Sequence, residues 1–358
     1  MPDHVSGPDP SLLRFFRTAL LDWSQRNPRP MPWKGEKDPY KIWLSEIILQ
    51  QTRVEQGLPY YQKFIEHYPS VEQLAQAPED QLLKDWEGLG YYSRARNLHA
   101  AARYIAGQLD GQFPQTYETI RALKGVGPYT AAAIASFAYG LPHAVLDGNV
   151  YRILARFFGV ALPVHTPQAQ KVFSSLAQQL LPADMPAAHN QAMMDFGAIW
   201  CTPAQPLCAT CPMQEHCRAF QEGRVAELPV KQKALVRKKR SFHYMVLHHR
   251  GEVYVRKRSG KDIWKGLWEF PYTENAVSEV LLSAGNARVS GPYRQLLTHQ
   301  EITAWFYEME LPDELPAQLL ESGLLEDCES MPFEALKKNI AFPKVIDCFF
   351  QSKDLTLN

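Results

Sequence analysis

Four of the six cysteines fall within 17 positions, Cys201, Cys208, Cys211 and Cys217, spaced Cys-x6-Cys-x2-Cys-x5-Cys. Four thiolates in so short a span can wrap one compact tetrahedral centre, and zinc and a [4Fe–4S] cluster both accept four cysteines. Zinc modules usually carry two separated Cys-x2-Cys pairs. Here there is one, so the spacing favours the iron–sulfur cluster. In a reducing compartment such a cluster of cysteines points to metal rather than disulfides. No dinucleotide fingerprint accompanies it, which makes a structural centre the expectation. Cys328 and Cys348 stand alone.

A second segment with chemical content is Leu123–Ala131, LKGVGPYTA. Gly125 and Gly127 permit a tight turn with no Cβ to block the approach of another backbone. Pro128 then suits the first turn of a helix, where its missing N–H costs nothing. The free amides of that helix start would bind phosphate. A helix–hairpin–helix at about 116–139 would hold a DNA strand this way without reading its sequence. An ordinary helix–turn–helix connection has the same local signature, because Gly-x-Gly-Pro is a common turn.

The elements that must position these groups divide into two textures. From Ser11 to about Phe220 the periodicity is helical, as in Leu12, Leu13, Phe16, Leu20 and Trp23, with Pro- or Gly-rich breaks between segments. No sustained alternation occurs there, so residues 1–222 are expected to form an all-α domain. Residues 223–240 read as a basic linker: Pro229–Arg240 holds six basic residues and no acidic one. Its function is either a solvated connection or a strap that tracks phosphates. Residues 241–358 read as an α+β domain. Strands are expected at Phe242–His248, Glu252–Arg256 and Thr303–Glu310, and short helices at Val277–Ala284 and Phe333–Lys338.

A chain of 358 residues, 46% hydrophobic and 21% charged, can bury two cores and is neither disordered nor collagen-like. Its longest apolar stretch, Ala131–Leu146, is broken by Ser136, Tyr139, Pro142 and His143 and is too polar to span a bilayer. Met1–Pro10 lacks the apolar run of a signal peptide, so a cytoplasmic protein with no membrane partner is expected, acting as a monomer. The zero net charge conceals an asymmetry. Gln300–Asn358 carries 12 acidic residues against 4 basic ones, leaving the rest of the chain positive. A positive body is compatible with a polyanionic partner.

Taken together, LKGVGPYTA, then LDGNV at Leu146–Val150, then the cysteine spacing resemble the endonuclease III superfamily of DNA glycosylases. PWK at Pro32–Lys34, SEIILQQTRV at Ser45–Val54, EGLGYYSRARNLH at Glu87–His99 and GLWEFP at Gly266–Pro271 resemble the MutY-type adenine glycosylases within it, whose C-terminal domain is Nudix-like. The resemblance covers nearly the whole chain. It implies excision of adenine opposite 8-oxoguanine or guanine in duplex DNA, and a [4Fe–4S] cluster on the four cysteines.

The resemblance also implies roles. Glu46 would be the acid that protonates the leaving adenine at N7, its pKa raised by the apolar helix around it. Asp147 would stabilise the sugar cation, by charge or by transient covalent attachment, with Asn149 supporting it. On local grounds alone, Glu46 reads as a solvated helical residue and Asp147 as an N-cap. Tyr129 stands where strand-cleaving relatives carry a lysine, and a phenol cannot form their Schiff base. A monofunctional enzyme is therefore expected.

Gln51 and Tyr91, with Leu89 beside the latter, would wedge into the stack vacated by the extruded base. Trp33 would wall the pocket, and Arg29 and Lys34 would reach phosphate. Two departures stand out. The TPAQPL loop between Cys201 and Cys208 has no basic residue for DNA, and the lesion-reading Phe-Ser-His of relatives has only Leu297-Thr298-His299 as its counterpart.

Three rival readings remain. A bifunctional glycosylase/lyase is disfavoured by Tyr129 and by the extra C-terminal domain. A nucleotide pyrophosphatase needs a Glu-rich Mg²⁺-binding helix, whereas Tyr272–Gly285 offers only Glu274 and Glu279. A catalytically silent DNA-binding protein would not require both carboxylates.

Overall fold

The computed structural model of the chain describes residues 8–164, 166–231, 236–274 and 287–354. Its first half is helical: α1 (Pro10–Arg26), α2 (Pro39–Ile48), α3 (Val54–His67), α4 (Val71–Gln76), α5 (Glu79–Asp85), α6 (Ser93–Gln108), α7 (Tyr117–Arg121), α8 (Pro128–Tyr139), α9 (Gly148–Phe158), α10 (Pro167–Leu180), α11 (Pro186–Ile199) and α12 (Arg218–Gln221). Local chemistry explains several starts. Asp9 and Asp38 accept from the amides of Ser11 and Tyr40 at 2.8 and 2.9 Å, and a proline opens each helix. Gly159, at φ +68°, closes α9 in the left-handed conformation that glycine adopts without strain.

The apolar stripe expected from Phe16, Leu20 and Trp23 is buried against Val150, Leu154, Phe157, Phe173 and Phe196. Helix α9 lies in the middle of this core. Its residues from Val150 to Phe157 are all buried, Arg152 and Arg156 included. A charge in that position requires partners. Arg156 finds them in the carbonyls of Thr202, Pro203, Val225 and Leu228.

The second half contains β1 (Lys238–His249), β2 (Glu252–Lys257), β3 (Trp268–Glu269), β4 (Tyr272–Glu274), β5 (Arg288–Leu296), β6 (Gln300–Glu310) and β7 (Glu329–Pro332), with α13 (Ala317–Glu321), α14 (Phe333–Asn339) and α15 (Lys344–Asp354). The strands form a mixed sheet in the order β3-β2-β1-β6-β5. The central pair β1 and β6 runs parallel, and Lys238 stands opposite Gln300. Alternation along β1 sends Phe242, Tyr244 and Val246 into a core with Phe270, Phe306, Phe342 and Phe349. Met245 and Leu247 enter a second cluster on the other face. The strand expectations and the Phe333–Lys338 helix agree with these elements. The helix expected at Val277–Ala284 lies outside the described residues.

Two compact units result. One comprises Met1–Val54, Phe64–Ala75 and Ala100–Lys233; the other comprises Glu55–Lys63, Gln76–His99 and Ala234–Asn358. Two helical segments that read as part of a 1–222 domain therefore pack with the sheet, and β1 begins inside the stretch read as a 223–240 linker. Within the second unit, Glu274 is held by Arg240, with bonds of 2.7 and 2.8 Å to its two oxygens. That ion pair occupies a carboxylate the pyrophosphatase reading would need for a metal; Glu279 is outside the described residues.

Candidate active site

Glu46 lies on α2 and Asp147 caps α9, 101 positions apart, yet both line one cavity of ≈ 1710 Å³ in the first unit. Burial pushes the Glu46 carboxyl up to about 7. A hydrogen bond from the Tyr129 hydroxyl opposes this, and the charge of Asp147 adds to it. The two carboxylates are thus near enough to feel each other. Tyr129, on the first turn of α8, also lies 3.3 Å from Met194 Sδ. Burial and the neighbouring carboxylates hold its phenol well above the ordinary value, so it stays a neutral donor.

Asp147 is the local N-cap that its position suggests, accepting from the Val150 amide at 2.8 Å through Oδ1. Its other oxygen takes a 2.7 Å bond from Asn149 Nδ2. Asn149 is in turn fixed by Arg152, whose guanidinium donates to Asn149 Oδ1 at 2.8 Å, to the Gly197 carbonyl at 2.6 Å and to the Cys201 carbonyl at 2.7 Å. Burial raises the Asp147 pKa, while the bonds from Val150 and Asn149 pull it back down. The cap fixes the direction of this carboxylate on the cavity wall.

Trp33, Arg29 and Lys34 line the same cavity. Both cations converge on Asp195, a carboxylate with only 4% side-chain exposure. Lys34 Nζ lies 2.6 Å and Arg29 3.6 Å from its oxygens. Gln191 donates to Asp195 at 3.2 Å. Arg29 and Lys34, expected at phosphate, are both paired with Asp195 in the cavity wall. Asp195 and Arg152 escaped the sequence reading. The local signal was a charged residue inside an apolar helix, one helical turn from Gln191 or from Asn149.

The profile of the HhH-GPD superfamily base excision DNA repair proteins matches residues 44–179, and that of the NUDIX domain matches residues 243–352. An adenine DNA glycosylase of Buchnera aphidicola subsp. Baizongia pistaciae is 34% identical over 260 residues, covering 72% of this chain and 74% of that protein. An adenine DNA glycosylase of Homo sapiens is 42% identical over 216 residues, covering 58% of this chain and 39% of the human protein. Among solved structures, a thermostable thymine-DNA glycosylase superposes with a TM-score of 0.56 at 30% identity, covering 59% of this chain and 98% of its own. The chain belongs to the adenine DNA glycosylase family. It is a base excision repair enzyme with a helical glycosylase fold and a Nudix domain.

Within this glycosylase the hairpin has the expected form. Gly125 sits at φ +82°, a conformation strained for other residues, and Pro128 opens α8. Gly127 is extended instead, with open space where a Cβ would be, so its backbone does not require glycine. Gln51 and Tyr91 both hold positive φ, at 55° and 47°, unusual for side chains of their size and a form of strain that gathers at functional sites. Both are exposed, Tyr91 to 48%. Leu89, expected at the DNA, is instead 5% exposed. Thr298 and His299 form an exposed turn between β5 and β6, closed by a 2.8 Å bond from the Leu297 amide to the Gln300 carbonyl.

The four clustered cysteines are free, half-buried thiols. Burial pushes Cys211 up to about 12, and the charges of Cys201, Cys217 and Cys208 add to this, so the four sulfurs share one neighbourhood. Cys201 Sγ accepts from Arg156 at 3.4 Å. Among the described residues no three Cys, His, Asp or Glu side chains close to the spacing of a metal site. The donor set itself, four thiols with a guanidinium at hand to favour thiolate, fits a cysteine-ligated centre.

Proposed function

We propose that the enzyme hydrolyses the N-glycosidic bond of adenine lying opposite 8-oxoguanine or guanine in duplex DNA, leaving an abasic site. The convergence of Glu46 and Asp147 on one cavity, with Glu46 still half-protonated near neutrality, carries this reading. An extruded adenine nucleotide enters the cavity at an unstacking cost of a few kcal/mol, offset by Gln51 and Tyr91 filling the stack. Glu46 gives its proton to N7 of adenine, and the bond electrons leave with the base. Asp147, aimed by the Val150 amide and Asn149, stabilises the oxocarbenium-like sugar until water adds at C1′ and gives its proton to the Glu46 carboxylate. Tyr129 orients the Glu46 carboxyl and offers no amine, so no imine forms and the strand is not cut.

The four cysteines would hold a [4Fe–4S] cluster that cross-links the 201–217 loop. Thr298 and His299, exposed on their turn, would read the base opposite adenine. The deciding experiment incubates the protein with an adenine:8-oxoguanine duplex and scores strand breaks with and without alkali. Breaks only after alkali are expected; breaks without it would make the enzyme a lyase. The purified protein should be yellow-brown, and an active but colourless, zinc-loaded preparation would remove the iron–sulfur assignment.

A further inference from the structure

Tyr91 sits in a loop whose shape is set by two glycines at positive φ, Gly88 at 94° and Gly90 at 71°. Trp86 Nε1 donates to the Gly90 carbonyl at 3.0 Å, and Arg94 reaches the carbonyls of Leu89 and Gly90 at 3.3 Å. The loop is therefore self-supporting, but its placement depends on Lys84 and Glu87 at its N-terminal root. These two pair at 2.6 Å and are mostly buried.

Each member of the pair also bonds backbone elsewhere in the same unit. Lys84 Nζ donates to the Lys337 carbonyl at 2.6 Å and the Ile340 carbonyl at 3.2 Å, at the C-terminal end of α14, where a cation is favourable. Glu87 Oε1 accepts from the Phe342 amide at 3.2 Å, just ahead of α15. Its neighbour Tyr92 donates to the Phe342 carbonyl at 3.4 Å. At the far end of the loop the Tyr91 hydroxyl lies 2.9 Å from Thr298 Oγ1. The loop is thus fixed to the sheet-bearing unit at its root and at its tip.

We propose that the Lys84–Glu87 pair is a positioning device for opposite-base discrimination: it seats the Tyr91 loop so that the wedge and the Thr298 turn engage DNA as one element. The inference rests on the lesion-reading role proposed above for Thr298. A surface ion pair would contribute little, but this one is largely buried and bonds backbone at the end of α14 and ahead of α15, so losing either partner shifts the loop root.

The test compares single-turnover adenine excision from duplexes with 8-oxoguanine or guanine opposite, using the full chain. Lys84→Met and Glu87→Gln should each lower the ratio of the two rates by about fivefold, the lower end of ordinary coupling between sites. The adenine:guanine rate should fall by less, since the wedge serves both duplexes, circular dichroism should show an unchanged fold, and Lys84→Arg should restore the ratio. In a double-mutant cycle with Tyr91→Phe the losses in ratio should be less than additive. Equal losses on both duplexes, or an unchanged ratio, would overturn the positioning role. A wild-type enzyme indifferent to the opposite base would instead overturn the lesion-reading assignment beneath it.

Discussion

Glu46 shows how burial makes a weak acid useful at neutral pH. Its ordinary value is 4.5; in the folded protein it is about 7. In the general-acid role proposed for it Glu46 must be protonated, so the excision rate should fall as pH rises through about 7, as a pH–rate profile of kcat/KM would reveal. Asp147, in the role proposed for it, must be ionised, which would set the acid limb of the same profile. Glu46→Gln and Asp147→Asn should each cost at least about 10²–10³ in rate while leaving duplex affinity within a few-fold.

The same shift bears on stability. The folded state holds the Glu46 proton more tightly than the unfolded chain does. That contribution is fully present below pH 4.5 and is lost as pH climbs through about 7. At pH 8, Glu46→Gln should therefore be the more stable protein, by up to about 3 kcal/mol in urea unfolding. A less stable variant at that pH would mean that the carboxylate is not buried at a cost.

At the scale of elements, the hairpin between α7 and α8 depends on one backbone conformation. Gly125→Ala places a Cβ in the left-handed region, at a cost of about 1–2 kcal/mol, and should weaken duplex binding more than the chemical step. Binding isotherms and single-turnover rates on the same variant separate the two. Gly127→Ala should be milder in the free protein, since its φ is ordinary and the space is open, yet should weaken DNA affinity through lost approach.

The cysteine loop is tied to α9 through Arg152 and Arg156. If the proposed iron–sulfur cluster is bound there, its chelation should lower the melting temperature and slow excision together, with Asp147 losing the register that Arg152 and Asn149 provide. Helix starts, the hairpin and the cysteine spacing were legible because capping residues, glycine turns and ligand spacing are local signals. The strands β1, β2 and β6 were legible for the same reason.

For the whole molecule, the compact units do not follow the boundary that texture suggested. Glu55–Lys63 and Gln76–His99 are helical in sequence but pack with the sheet-bearing unit. Truncation after Lys233 removes the partners of Lys84, Glu87 and Tyr92, and should lower the melting temperature by several degrees and reduce excision on both duplexes. Thr298→Val should reduce only the preference between duplexes. Comparable losses on both substrates from Thr298→Val would remove that residue from opposite-base reading.

The amino-acid sequence by itself determined the elements, the turn chemistry and the types of residue available for acid–base and thiolate work, because those follow from neighbours a few positions away. Only the tertiary structure decided that Lys34 and Arg29 meet Asp195, that Leu89 turns inward while Tyr91 stays exposed, and that Tyr91 meets Thr298 across 207 positions. Such contacts are chosen by the packing of whole units. A side chain's distant partner leaves no periodic or spacing signal in the chain around it.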